Sequence, residues 1–237
     1  MPFPLQRRFS FHRPITSYAR VQKWLGNVIR NRQYQLRRLS GQSPKYLNIG
    51  CGRNTSADFI NVDYLWHPGV HLCWDITRGL PFPDASVQGI FTEHCLEHFS
   101  LSVAEHLLRE FCRVLVPGGT VRIVVPDGEL YLGTYWARIR GDTSREFPFQ
   151  ALESFNGLYS PILSVNRVFY QDRDSPFGHR FMYDEAALCL LLQHAGFDWA
   201  KRVDYCRGAD SRLLIDTESR QCESLYVEAG TVSAPLV

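Results

Sequence analysis

Two short stretches hold residues whose types and spacing can do chemistry. Tyr46-Leu47-Asn48-Ile49 runs into Gly50-Cys51-Gly52, and Phe59-Ile60-Asn61-Val62 runs into Asp63. An apolar run that stops at Gly-x-Gly reads as a buried strand entering a tight turn free of side chains. In an open α/β sheet the ligand crevice lies beyond the carboxyl ends of the strands, so both ends point at one pocket. Glycines let the backbone approach a ligand, and a carboxylate at the next strand end can accept hydrogen bonds from a ribose diol. Together they point to a nucleoside-bearing cofactor.

A second group is Glu93-His94-Cys95-Leu96-Glu97-His98. Neutral His98 can take a proton from an acceptor hydroxyl or amine near pH 7, with a structural role as its alternative. For His94 the structural role is expected. Four residues apart on a helix, the two imidazoles share a face at a metal-compatible spacing. The sequence places no third ligand, so no metal is expected. Asp127, at another strand end, can hold a polar substrate group or cap the helix that follows. His179 and Arg180 are further substrate candidates. Arg180 can grip a carboxylate or phosphate through paired hydrogen bonds, or pair with Asp184 four residues on.

The elements that must position these groups alternate along the chain. A helix is expected over about residues 17–39, then a turn at Ser40-Gly41-Gln42-Ser43-Pro44. Strands are expected at 46–49, 59–62, 70–74 and 87–92. Apolar positions 103, 104, 107, 108, 111, 114 and 115 keep the helical period. Val116-Pro117-Gly118-Gly119 should stop that helix, and the β-branched run 120–125 reads as a buried central strand. A helix through about Ile139, another from Asp184 to Ala195 and two late strands near 198–205 and 223–228 complete a doubly wound α/β domain. Residues 141–181 lack periodicity and are rich in aromatics, which suits a cap-like insertion.

The 237 residues are 45% apolar and 21% charged, an ordinary globular composition. No apolar stretch is long enough for a membrane span or a signal-peptide core. Seven cysteines without metal-type spacing fit a reducing cytoplasm. Charge is uneven: eleven Lys/Arg and no acid precede Asp58, leaving 15 basic and 24 acidic residues from Asp58 onward. A basic arm can serve nucleic acid or an anionic membrane surface. The preferred reading is a solvated helix that docks through Trp24, Leu25, Val28, Ile29 and Leu36. The expected division is a basic arm and helix at 1–43 and a main domain at 44–237.

The run of Leu47-Asn48-Ile49-Gly50-Cys51-Gly52, Asn61-Val62-Asp63, Trp74-Asp75-Ile76, Leu80-Pro81-Phe82-Pro83-Asp84 and Val116-Pro117-Gly118-Gly119 resembles the class I S-adenosylmethionine-dependent methyltransferases. The tail, with His179-Arg180-Phe181-Met182-Tyr183-Asp184 and Glu223-Ser224-Leu225-Tyr226-Val227-Glu228-Ala229, resembles a bacterial branch linked to polysaccharide or cell-surface biosynthesis.

The resemblance implies a Rossmann-like, mostly parallel seven-stranded sheet with its last strand antiparallel. It also implies S-adenosylmethionine as cofactor and a small polar acceptor such as a sugar or glycan precursor. The turn of Asn48, Gly50, Cys51 and Gly52 would meet the methionine part, Asp63 the ribose, Asp75 and Ile76 the adenine, and Glu93 the sulfonium region. Trp74 is expected in the core. Two departures stand out: Asn48 replaces an acid and Asn54 replaces a third glycine, where Asn tolerates left-handed backbone. Asp63 follows Gly50 by thirteen residues, so an intervening helix must be short or absent. That spacing also fits a nicotinamide dinucleotide poorly. The alternatives are a non-catalytic S-adenosylmethionine-binding domain and a nucleic-acid methyltransferase using the basic arm.

Overall fold

The computed structural model describes residues 17–39, 46–148, 154–155, 158–169 and 178–232. Expectations for residues 1–16, for the 40–44 turn and for part of the 141–181 insertion lie outside them.

Seven strands form one sheet: β1 (Tyr46–Ile49), β2 (Ile60–Asp63), β3 (Leu72–Cys73), β4 (Val87–Glu93), β5 (Leu115–Pro126), β8 (Trp199–Val203) and β9 (Ser224–Gly230). Their spatial order is β3-β2-β1-β4-β5-β9-β8. The pairs from β3 to β5 are parallel, and β9 runs antiparallel to both β5 and β8. The expected Rossmann-like sheet with an antiparallel last strand is therefore present. A separate two-stranded hairpin, β6 (Ser154–Phe155) and β7 (Leu158–Tyr159), lies in the insertion.

Alternating side chains of the central strands feed two buried clusters, as period-2 geometry requires. Leu47, Ile49, Ile90, Val121, Ile123 and Val125 join the larger cluster; Tyr46, Phe91 and Val124 join the smaller. Helix α3 (Leu101–Val114) buries Ala104, Leu107, Leu108, Phe111 and Val114 on the larger cluster, the stripe its spacing dictates. Burial of each large side chain there is worth about 1.5–3 kcal/mol. Helix α6 (Glu185–His194) covers the same cluster with Leu188 and Leu192, and Asp184 caps it by accepting from the Ala187 N–H.

The other face carries a charge in its core. Arg122 is fully buried in β5 and pairs with Asp216 at 2.7 Å and with Glu228, its cross-strand partner on β9, at 3.1 Å. It also donates to the carbonyls of Asp204 and Arg207, which ties down the segment between β8 and β9.

Several elements differ from expectation. The N-terminal helix is two helices, α1 (Ser17–Ile29) and α2 (Gln33–Leu39), because Asn31 takes a left-handed φ of 58°. The break holds the end of β3: Asn31 Oδ1 accepts from the Asp75 N–H, and Gln35 bonds both the N–H and the carbonyl of Cys73. Helix α3 ends at Val114, just before Val116-Pro117-Gly118-Gly119, as expected, but that stretch is itself taken into β5, where the pairing with β4 shifts register. In the insertion, α5 (Pro161–Phe169) packs Val165 and Val168 with Phe147 and with Tyr131 of α4 (Gly128–Ile139) in a small aromatic cluster. Among the described residues no helix is long and apolar enough to cross a membrane.

Candidate active site

Between β1 and β2 the chain forms turns and no helix. Asn48 and Asn61, side by side on the two strands, brace that loop. Asn48 Nδ2 donates to the Asn54 carbonyl at 2.8 Å and to Asn61 Oδ1 at 3.1 Å; Asn61 bonds both the N–H and the carbonyl of Ser56. The turn is then free to present backbone. Gly50 and Gly52 are both left-handed, with φ of 68° and 53°. A Cβ on Gly50 would stand 2.4 Å from Cys95 Sγ, so Gly50 is required by its packing as well as its conformation. A Cβ on Gly52 would stand in open space. Asn54 does not adopt a left-handed φ, so it does not act as a substitute glycine; its side chain donates to Thr217 instead.

Beyond the strand ends lies a cavity of about 750 Å³. Gly50, Gly52 and Asp63 line it from β1 and β2, Trp74, Asp75 and Ile76 from the end of β3, and His94, Cys95 and His98 from beyond β4. Arg180 reaches it from the end of the insertion, and Lys23 and Asn27 of α1 also line it. Asp63 accepts from the Gly52 N–H at 2.8 Å and from the Leu65 N–H at 2.7 Å. Burial raises its pKa, and those two N–H groups offset only part of the rise. Asp75 Oδ1 caps the short turn Ile76–Arg78 by accepting twice from Thr77. Trp74 is a cavity-wall residue that is half-buried, with its indole N–H on the Gly79 carbonyl.

Other expected contacts point elsewhere. Asn48 is buried behind the turn, as above. Cys51 is buried, and burial pushes its thiol up, as it does that of Cys95; neither is poised as a nucleophile. Glu93 is taken by Thr217, whose backbone N–H and hydroxyl both donate to it. Asp127 caps α4 by accepting from the Leu130 N–H and pairs with Arg202 at 2.9 Å, so both its oxygens are engaged away from the cavity. Arg180 forms no side-chain ion pair among the described residues, and the expected partner Asp184 is a helix cap.

Residues 94–98 are not a helix. His94 has a left-handed φ of 48°, and a single 3-10 turn covers Leu96–His98. The shared helical face is therefore absent, and Glu97 turns inward, 1% exposed. Desolvation works to raise its pKa, but His94, His98 and His179 outweigh it and hold the carboxyl at about 2. His179 stacks edge-on with His98 at 4.9 Å between ring centres, and burial lowers its pKa. Among the described residues neither Glu97 oxygen receives an aligned hydrogen bond, and each buried unmet group costs about 1–3 kcal/mol. The doubled Glu-His in the sequence was the signal that this segment is unusual.

Residues 51–123 match a family model described as a methyltransferase domain. No curated protein matches the chain. Among solved structures, a Thermotoga maritima protein described as a possible histamine N-methyltransferase is 17% identical, covering 83% of this chain and 86% of its own at a TM-score of 0.48. A Methanosarcina mazei S-adenosylmethionine-dependent methyltransferase is 16% identical, with coverage of 81% and 95% and a TM-score of 0.48. One from Archaeoglobus fulgidus is 14% identical, with coverage of 90% and 99% and a TM-score of 0.46. The segment that matches a methyltransferase domain spans Gly52, Asp63, Trp74, Asp75, Ile76, His94 and His98 of the cavity wall.

Proposed function

We propose that the chain methylates a small polar acceptor bearing a negative charge, with acidic sugars and glycan precursors as the first class to test. The observation that carries this reading is that one cavity gathers Gly52, Asp63, His98 and Arg180, which forms no side-chain ion pair among the described residues.

The residues fit the cofactor. Gly52 leaves a gap where a side chain would stand, and Asp63 keeps acceptor capacity for ribose hydroxyls beyond its two backbone bonds. Ile76 and Trp74 offer apolar surface for a purine, with Asp75 beside them. When bound, S-adenosylmethionine supplies a methyl group on a positively charged sulfur, open to in-line attack. The chain's share is alignment and exclusion of water, worth about 7–11 kcal/mol when reactants are well oriented, so no dedicated nucleophile is needed. In this reading His98, on the cavity wall, takes the acceptor's proton. Arg180 anchors the acceptor by its carboxylate or phosphate.

Calorimetry with S-adenosylhomocysteine, then transfer of labelled methyl to a panel of sugar phosphates, uronic acids and uncharged sugars, tests the proposal. Labelling confined to acidic acceptors is expected. Cofactor binding with no transfer to any acidic small molecule overturns it.

A further inference from the structure

Glu97, His98 and His179 meet beside the cavity, with one ligand-capable atom from each lying within 4.8 Å of the others. Both oxygens of Glu97 and Nδ1 of His98 are buried without a hydrogen-bond partner among the described residues. His179 Nδ1 lies 2.7 Å from the Val168 carbonyl, which can only accept. Nδ1 therefore carries the hydrogen, and in the neutral ring Nε2 keeps its lone pair. That bare nitrogen stands 3.9 Å from Glu97 Oε1. Two acceptors across a dry gap repel unless something positive lies between them.

The two halves of the group are locked together by backbone. The N–H groups of Arg180 and Phe181 both donate to the Glu97 carbonyl, at 2.7 and 3.2 Å. His94 backs Glu97 from another side, with Nδ1 3.3 Å from Oε1 and Nε2 2.9 Å from Ser224 Oγ. An imidazole whose second nitrogen is tied to a carbonyl is oriented as metal-binding histidines are. Two imidazoles and a carboxylate suit a borderline-soft divalent ion and leave a fourth position open.

We infer that Glu97, His98 and His179 form a binding site for a divalent transition-metal ion of the zinc type, bordering the cavity at His98. With metal bonds of about 2.0–2.1 Å, donor atoms of a tetrahedral site stand about 3.4 Å apart. The 3.9 Å between Glu97 and His179 is within a small side-chain adjustment of that spacing. With the ion present His98 serves as ligand, and an acceptor hydroxyl in the open position releases its proton to water more readily. That consequence rests on the methyl-transfer reading; ion binding itself does not.

The test adds Co²⁺ to the metal-free full chain, with no S-adenosylmethionine present. One equivalent should bind with the visible bands of a four-coordinate site, be displaced by Zn²⁺ and raise the melting temperature. Glu97→Gln, His98→Asn and His179→Asn should each weaken Co²⁺ by about tenfold or more in protein that still melts cooperatively. If the two buried changes prevent folding, His98→Asn at the cavity edge decides. Absence of the bands in the unaltered protein, or unchanged affinity in the variants, overturns the inference and leaves a protonated imidazole as the counter-charge of Glu97. Co²⁺ binding alongside failed methyl transfer would retain the metal site and discard the proposed reaction.

Discussion

The backbone N–H of Gly52 donates to the carboxylate of Asp63 across 2.8 Å, joining the tips of two adjacent strands in one hydrogen bond. The turn and the acid are thus a single rigid unit, and the acid's position is set before any ligand arrives. Asp63→Ala removes both the proposed acceptor for ribose and the brace of the turn. Since a hydrogen bond to a charged group contributes about 1.5–3 kcal/mol, S-adenosylmethionine should bind about 10- to 100-fold more weakly, measured by calorimetry.

The same residue sets a pH dependence. An ordinary Asp titrates near 3.9, and burial raises Asp63 above that. The anion is the better acceptor for hydroxyls, so cofactor affinity should fall as pH drops through the raised value, sooner than a surface carboxylate would dictate. For the ligand-free protein the sign reverses. A raised folded value stabilises the fold below the unfolded pKa, and that contribution is lost as pH rises through the folded one. Binding titrations across pH should show the fall in the unaltered protein and a flatter profile in Asp63→Asn.

Gly50 is confined by Cys95. Gly50→Ala places a Cβ 2.4 Å from Sγ and 2.7 Å from Cβ of Cys95, at a φ of 68°. Overpacking of this kind costs about 1–3 kcal/mol and the left-handed backbone about 1–2 more. Adding Cys95→Ala should recover only part, because its Cβ remains. Urea unfolding of the single and double variants gives the coupling.

Arg122 balances two buried carboxylates. Arg122→Met keeps the volume but strands Asp216 and Glu228, so a loss of about 3–5 kcal/mol is expected by thermal or urea unfolding.

Arg180→Ala should raise the KM for an acidic acceptor about tenfold or more while leaving S-adenosylhomocysteine affinity unchanged. An equal rise for uncharged acceptors would remove Arg180 from acceptor recognition.

The strand tips at Gly50 and Asp63 are legible in the sequence because a strand buried on both faces needs a continuous apolar run, and its end is marked by residues of another kind. The period of α3 is equally plain, since its buried stripe faces one cluster. The break at Asn31 is not legible. Helical spacing continues on either side, and what favours the break is tertiary: Asn31 and Gln35 on the β3 end, with Arg30 lying 3.4 Å over the Tyr64 ring. Pro117-Gly118-Gly119 carries the residues of a helix stop and α3 ends just before it, but the pairing of Leu115 and Thr120 on either side with β4 carries it within β5. Around His94 the i, i+4 spacing misleads, because its φ is left-handed and its N–H and ring are held by Val124 and Ser224, distant in the chain. Glu93 and Asp127 stand at strand ends as expected, but Thr217 and Arg202 claim them first.

Lys23 and Asn27, on α1, form part of the cavity wall, and α1 is fastened to the sheet through Asn31 and Gln35 at the margin of β3. A fragment trimmed to begin at Tyr46 would keep every strand and still lose one side of the vessel. Such a truncation should retain the nucleoside poorly, which would make the leading helices upholstery of the proposed ligand's seat rather than a detachable handle.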